Sequence, residues 1–194
     1  MDETEAKYRL ENLEAIRRRL QQAAARPAGR VLERNSLFDR PEGSLRAADC
    51  GLRIRIARPI DGLGHPLAGT PTKSTLTYKG PRRQDAWKRR REIELTIDDA
   101  DAAGDLLVAL GFVSMLSFEK RRETWRLGDC LVELDELPHL GFFVEIEGPP
   151  DAIGRVAGLL GLADQPQEKD TYAAMLDNLV REKNIAGKEI NFSA

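Results

Sequence analysis

Four stretches of this chain alternate charged and apolar residues, and in each the charges come as a like-signed pair. Arg53 and Arg55 sit between Leu52, Ile54 and Ile56, and Glu92 and Glu94 between Ile93, Leu95 and Ile97. Glu133 and Asp135 alternate with Val132 and Leu134, and Glu145 and Glu147 with Val144 and Ile146. Lys120 and Arg122 also share one face of a strand. Side chains alternate between the two faces of a strand, so each stretch predicts a strand with one apolar and one charged face. An open antiparallel sheet with its polar face in water would accommodate any one of them. It explains the whole set less well, because like charges two apart on one strand repel, and neighbouring strands would offset this only in part. A sheet curled into a barrel, with helices on its apolar outside and the charges lining its inside, fits better. Such an interior is expensive to desolvate when empty. It suits a water-filled tunnel for a highly charged ligand and its metal.

The rest of the chain supplies the outer layer. After a strand over Glu3–Arg9, Leu13, Ile16 and Leu20 have helical spacing within a helix predicted over Leu10–Ala25, ended by Pro27 and Gly29. Strands follow at Val31–Phe38, Leu52–Ile56, Thr75–Lys79 and Glu92–Leu95, with a Gly/Pro-rich loop from Pro59 to Thr72. A helix capped by Asp98 runs to Leu110 and stops at Gly111. Strands at Val113–Leu127, Cys130–Asp135 and Phe142–Glu147 come next, then helices near Ala152–Leu160 and Thr171–Lys183. The fold class is therefore α+β: an antiparallel barrel with external helices, one domain over residues 1–184 and a frayed tail over 185–194.

Composition removes several classes. Across 194 residues, 30 basic and 32 acidic side chains leave a net charge of −2, which argues against a general nucleic-acid or membrane-surface binder. No apolar run approaches membrane-spanning length, so a cytoplasmic location is expected. Cys50 and Cys130 lack metal-type spacing, and Cys130 reads as core. His65 and His139 fall in a loop and a turn and suggest no Ser/His/Asp grouping. The absence of a Walker-type glycine loop leaves phosphate binding to side chains. The basic run Lys88–Arg91, beside Trp87, reads as a strand entrance partly inside the tunnel mouth rather than an RNA contact.

The N-terminus carries Glu3-x-Glu5-x-Lys7, three charges on one face of a strand. Two carboxylates can hold a hard cation such as Mg²⁺, and the lysine can hold an anion that the cation bridges. With Leu52-Arg53-Ile54-Arg55, Thr77-Tyr78-Lys79-Gly80-Pro81, Arg91-Glu92-Ile93-Glu94, Glu119-Lys120-Arg121-Arg122, Leu134-Asp135-Glu136-Leu137-Pro138 and Gly141–Glu147, this opening resembles the CYTH domain. That family of triphosphate tunnel metalloenzymes is named for class IV adenylyl cyclases and thiamine triphosphatase. The likeness extends from residue 3 to about residue 176 and is nearest the CyaB-like, class IV cyclase branch. It implies an eight-stranded antiparallel tunnel with helices outside.

By the same resemblance, Lys7, Arg53, Arg55, Lys79, Lys120 and Arg122 would bind triphosphate oxygens. Glu3, Glu5, Asp135, Glu145 and Glu147 would hold Mg²⁺ or Mn²⁺. Glu5 and Glu94 are the candidate catalytic carboxylates, and Glu92 would orient basic residues. Near the end, where the family often has a basic residue close to a Ser-Tyr pair, the chain reads Lys169-Asp170-Thr171-Tyr172. Lys169 is assigned to phosphate, although Asp170 beside it opposes that. Glu33–Asp39 matches only loosely and receives no role. The expected partner is a triphosphate-bearing small molecule, and the oligomeric state, homodimer included, stays open. Hydrolysis of a triphosphate is the leading expectation, cyclisation of ATP the alternative, and non-catalytic polyphosphate or nucleotide binding a third.

Overall fold

The computed structural model describes residues 2–82, 88–183 and 189–192, apart from the side chains of Asp2, Glu3 and Lys88. Eight long strands are β1 (Asp2–Leu10), β2 (Arg26–Asp39), β3 (Gly51–Pro59), β4 (Lys73–Lys79), β5 (Lys88–Ile97), β6 (Val113–Leu127), β7 (Cys130–Leu137) and β8 (Gly141–Glu147). They pair in the order β2-β3-β4-β5-β1-β8-β7-β6, and β6 returns to β2, so the antiparallel sheet closes on itself. Closure removes every edge among these strands, which an open sheet would leave available for aggregation. A two-residue strand, β9 (Glu189–Ile190), adds in parallel to Ser117–Phe118 of β6, with Ile190 buried.

The period-2 pattern sorts the two faces as the sequence predicted. Ala6 and Tyr8 of β1, Val132 and Leu134 of β7, and Val144 and Ile146 of β8 point outward into the main core. There they meet Ile16 and Leu20 of α1 (Glu14–Gln22), and Ile153, Val156 and Leu160 on and just after α4 (Pro150–Leu159). Helix α3 (Ala100–Ala109) covers the opposite side through Leu107, against Phe38 and Ile54. The charged faces of the same strands point inward.

Two helix boundaries and one short helix differ from the expectation for local reasons. Helix α1 stops at Gln22 because Ala24 adopts φ +54°, and Pro27 lies instead in β2, beside a register shift against β6. The cap of α3 is Asp99, whose carboxylate accepts from the Asp101 and Ala102 amides at 3.0 and 2.9 Å, and not Asp98. A four-residue helix, α2 (Ser44–Ala47), follows the Asp39 turn and is organised by the buried Asp39 carboxylate, which accepts from the Leu45 and Arg46 amides.

Along the barrel axis the interior changes character. Leu37, Leu116, Phe118, Leu137 and Phe143 continue the inward faces of β2, β6, β7 and β8 beyond their charged residues. Helix α5 (Tyr172–Lys183) buries Tyr172, Met175 and Leu176 against this apolar ring and so plugs that end. The plug meets the charged region at Tyr172.

Candidate active site

All six basic residues predicted to face the tunnel do so, and most are held by carboxylates from neighbouring strands. Lys7 is buried, with its ammonium 3.0 Å from Glu145 and 3.7 Å above the Tyr172 ring. Lys120 lies between Glu33 at 3.4 Å and Asp135 at 3.3 Å. Arg122 donates to both oxygens of Asp135, at 2.7 and 2.6 Å, and also pairs with Glu133 and Glu145. Arg55 bridges Glu33 at 3.5 Å and Glu94 at 3.1 Å, Thr77 donates to the same Glu94, and Lys79 pairs with Glu92. The interior is therefore a network in which both signs reach across the strands and meet.

Arg53 is the exception. It forms no ion pair among the described residues; its one hydrogen bond reaches Asn35 Oδ1 at 3.5 Å, and its buried Nε has no partner. Burial, with Arg55 and Arg122 close by, lowers its pKa despite Glu33 and Glu92. A guanidinium desolvated with so little compensation is costly unless an anion completes its surroundings. The buried Thr75 hydroxyl, one strand away and opposite Arg55, also lacks a partner among the described residues.

The carboxylates respond to the same field. Burial alone would raise Glu33, but Lys120, Arg122 and Arg55 hold it well below the usual carboxylate range. Glu145 is likewise held low by Lys7, Arg122 and Lys120 against its own burial. Glu133 goes the other way: burial, then Asp135 and Glu145, push its carboxyl up to about 7 in spite of Arg122 and Lys120. Lys7 is raised because Glu145 and Glu5 outweigh the effect of burial.

Asp135 is the hub of the network. It is fully buried, and besides Arg122 and Lys120 it accepts the Tyr172 phenol at 2.9 Å. Burial and the Asp135 charge raise that phenol well above its usual pKa, so it stays a donor. The arrangement ties the plug helix to the tunnel cations through one side chain.

The acidic set fits a hard cation by donor chemistry, since all its members offer carboxylate oxygens. Glu5 and Glu147 are half-buried and directly opposed across β1 and β8, a like-charged pairing that a cation would relieve. Glu145 lies on the same face as Glu147. The Glu3 side chain is outside the described residues, and among those described no three acidic, histidine or cysteine side chains already converge as a ligand set.

The Lys169 side chain is exposed ahead of α5, while its neighbours reach Lys7: the Glu168 amide donates to the Lys7 carbonyl at 2.7 Å, and the Asp170 carbonyl accepts from the Lys7 ammonium at 3.4 Å. Four tunnel residues carried no sequence assignment of their own: Glu33, Asn35, Arg90 and Tyr172. Arg90 lies two residues from Glu92 on the same face of β5 and is 3.9 Å from Asp49. Trp87 and the Lys88 side chain lie outside the described residues. His65 and His139 are exposed, and Cys130 is buried in the outer core.

A closed barrel with inward cations and carboxylates defines a class, and the comparisons identify it. The CYTH domain profile matches residues 1–159, and the chain belongs to the CYTH family. It is 33% identical to adenylate cyclase CyaB of Aeromonas hydrophila over 147 residues, which covers 74% of this chain and 67% of that protein. It is 26% identical to the putative adenylate cyclase MJ0240 of Methanocaldococcus jannaschii over 147 residues, 76% of this chain and 77% of that one. Among solved structures, the PH1819 protein of Pyrococcus horikoshii superposes with a TM-score of 0.75 at 26% identity, covering 92% of this chain and 99% of the other.

Proposed function

We propose that the chain is a metal-dependent phosphohydrolase that grips a triphosphate inside the barrel and cleaves its terminal phosphoryl group. The observation that carries this reading is Arg53, a half-buried guanidinium whose buried Nε lacks a partner among the described residues, set among cations that carboxylates already hold in place. Arginine's planar fork can donate two hydrogen bonds to one phosphate, whereas lysine acts as a compact point charge. Arg53, Arg55 and Arg122 would thus fix the orientation of the chain of phosphates, and Lys7, Lys79 and Lys120 would balance its charge.

Glu3, Glu5, Glu145 and Glu147 would hold Mg²⁺ or Mn²⁺, which when bound supplies charge neutralisation on the phosphoryl oxygens. Asp135, assigned to the metal by resemblance, is better read as a positioning residue, because Arg122, Lys120 and Tyr172 already occupy its oxygens. Water attacks the terminal phosphorus in line with the bridging oxygen, and that P–O bond breaks to release orthophosphate. Glu5 and Glu94 are the carboxylates assigned to take the water's proton. Glu94 is held for this by Arg55 and Thr77. As charge moves onto the leaving oxygen, the preorganised guanidinium groups need no rearrangement to stabilise it.

A second reading is favoured by the 33% identity to a protein named adenylate cyclase. In it the ribose 3′-oxygen of ATP attacks the α-phosphorus and pyrophosphate departs. Product analysis separates the two. Purified protein is incubated with Mg²⁺ or Mn²⁺ and, separately, with inorganic triphosphate and ATP. Orthophosphate with pyrophosphate or ADP is the expected result; cyclic AMP with pyrophosphate would install the cyclase in its place. Binding without any product would leave only a polyphosphate-binding protein.

A further inference from the structure

Strand β6 outruns its neighbour β7. Their pairing starts at Arg121, so over Ser117–Phe118 β2 occupies one side of β6 and β9 takes the other. In that parallel register Ile190 stands beside Phe118, and it is buried in the apolar cluster that also holds Tyr172, Met175 and Leu176 of α5. On the outer face the Phe192 amide donates to Glu119 Oε2 at 3.0 Å, and the Arg121 guanidinium lies 4.0 Å from the centre of the Phe192 ring. Glu189 pairs with Arg34 at 3.5 Å, but both side chains are exposed and the pair contributes little. The buried side chain of Ile190 is therefore the main attachment. A segment held chiefly by one side chain opens more readily than the barrel strands around it.

We propose that residues 189–192 are a strap that seats the plug helix and, through it, sets how firmly the charged interior holds its anion. This rests on reading that interior as the triphosphate grip. The route is a continuous set of contacts. Ile190 shares its cluster with α5, and α5 carries Tyr172. The Tyr172 phenol donates to Asp135 at 2.9 Å, and its ring centre lies 3.7 Å from the Lys7 ammonium and 5.3 Å from that of Lys120. Asp135 in turn accepts from Lys120 and Arg122. Undocking the strap uncovers part of the apolar face of α5, loosens Tyr172 and frees these three cations to leave the arrangement that the anion meets. Such coupling is reciprocal: the factor by which the docked strap tightens anion binding is the factor by which the anion tightens strap docking.

Ile190→Ala weakens the strap without altering a charged side chain, and Phe192→Ala weakens it more mildly from the outer face. Hydrogen exchange is followed by mass spectrometry in metal-free protein, with and without inorganic triphosphate, over α5, residues 189–192 and α4. Helix α4 is the internal control, since it packs in the separate main core. Titration calorimetry gives the affinity for inorganic triphosphate. In Ile190→Ala, α5 should exchange at least about tenfold faster while α4 is unchanged. Inorganic triphosphate should bind that variant about fivefold more weakly or worse, and in wild type it should slow exchange at residues 189–192 by a similar factor. Phe192→Ala should shift all three readings in the same direction by less. Unchanged exchange in α5, equal acceleration in α4 and α5, or unchanged affinity in both variants overturns the strap and leaves the tunnel reading standing. A wild type that does not bind triphosphate overturns the tunnel reading and the coupling to it, while exchange in α5 still decides whether the tail seats the plug.

Discussion

Replacing Asp135 by asparagine removes one charge from the centre of the barrel and little else. The shape is kept, and an amide oxygen remains to accept from Tyr172, 2.9 Å away in the wild type. Arg122 and Lys120 lose the carboxylate that each now contacts, at 2.6 and 3.3 Å. Breaking a buried pair from one side costs about 3–5 kcal/mol, because the remaining charge is left buried. Glu33 and Glu145 still face these cations as carboxylates, so the lower part of that range applies. For a domain of this size the melting temperature should fall by roughly 6–15 °C, at about 2–4 °C per kcal/mol. Urea titration should show a lower midpoint with an unchanged slope. Saturating inorganic triphosphate should restore much of the loss, since a polyanion replaces the missing charge; ligand at about one hundred times its Kd contributes about 2.7 kcal/mol. A loss below about 1 kcal/mol would show that Asp135 is not the hub described here, and the positioning role would fall with it.

Three further outcomes follow from the same network. Tyr172→Phe leaves one Asp135 contact unmade and should lower stability by about 1–3 kcal/mol in urea titration, less than Asp135→Asn; an equal or larger loss would mean that the phenol matters more than the charge. In metal-free protein, Glu133 holds its proton up to about 7, against 4.5 for an ordinary glutamate. The folded state therefore binds more protons between those values, and this group's contribution falls as pH rises from about 4.5 to about 7. Glu133→Gln should flatten that part of the stability–pH curve, and a slope identical to wild type would contradict the shift. Glu5→Ala should abolish metal-dependent turnover while the melting temperature of metal-free protein changes little; retained activity would remove Glu5 from the metal set.

The barrel was legible because period-2 alternation is a strong signal wherever one face is apolar. Arg53, Arg55, Glu145 and Glu147 each had an apolar neighbour that fixed their direction, whereas Lys120 and Arg122, flanked by Glu119, Arg121 and Glu123, were placed by the motif resemblance. Glu33 has Leu32 on one side but Arg34 on the other, and Asn35 lies between Arg34 and Ser36, so the contrast between faces is weak there and closure of β2 onto β6 turns both inward. Arg90 was hidden for the same reason inside Lys88-Arg89-Arg90-Arg91, a run with no contrast between faces. Tyr172 lies on a helix whose periodicity says that it is amphipathic and not that it plugs the barrel. That is a tertiary event, and nothing local to residues 171–183 encodes it. For Lys169 the motif position suggested a phosphate ligand, while the structure places its side chain in solvent ahead of α5.

The central claim is that the charged interior is built to hold a triphosphate, with Arg53 as the guanidinium awaiting it. Isothermal titration of inorganic triphosphate into metal-free wild type and into Arg53→Ala tests it most directly. Hydrogen bonds to charged groups contribute about 1.5–3 kcal/mol, so the variant should bind roughly ten- to 150-fold more weakly, with its fold and melting temperature maintained or improved. Equal affinity in the two proteins, or no binding to wild type, would contradict the account.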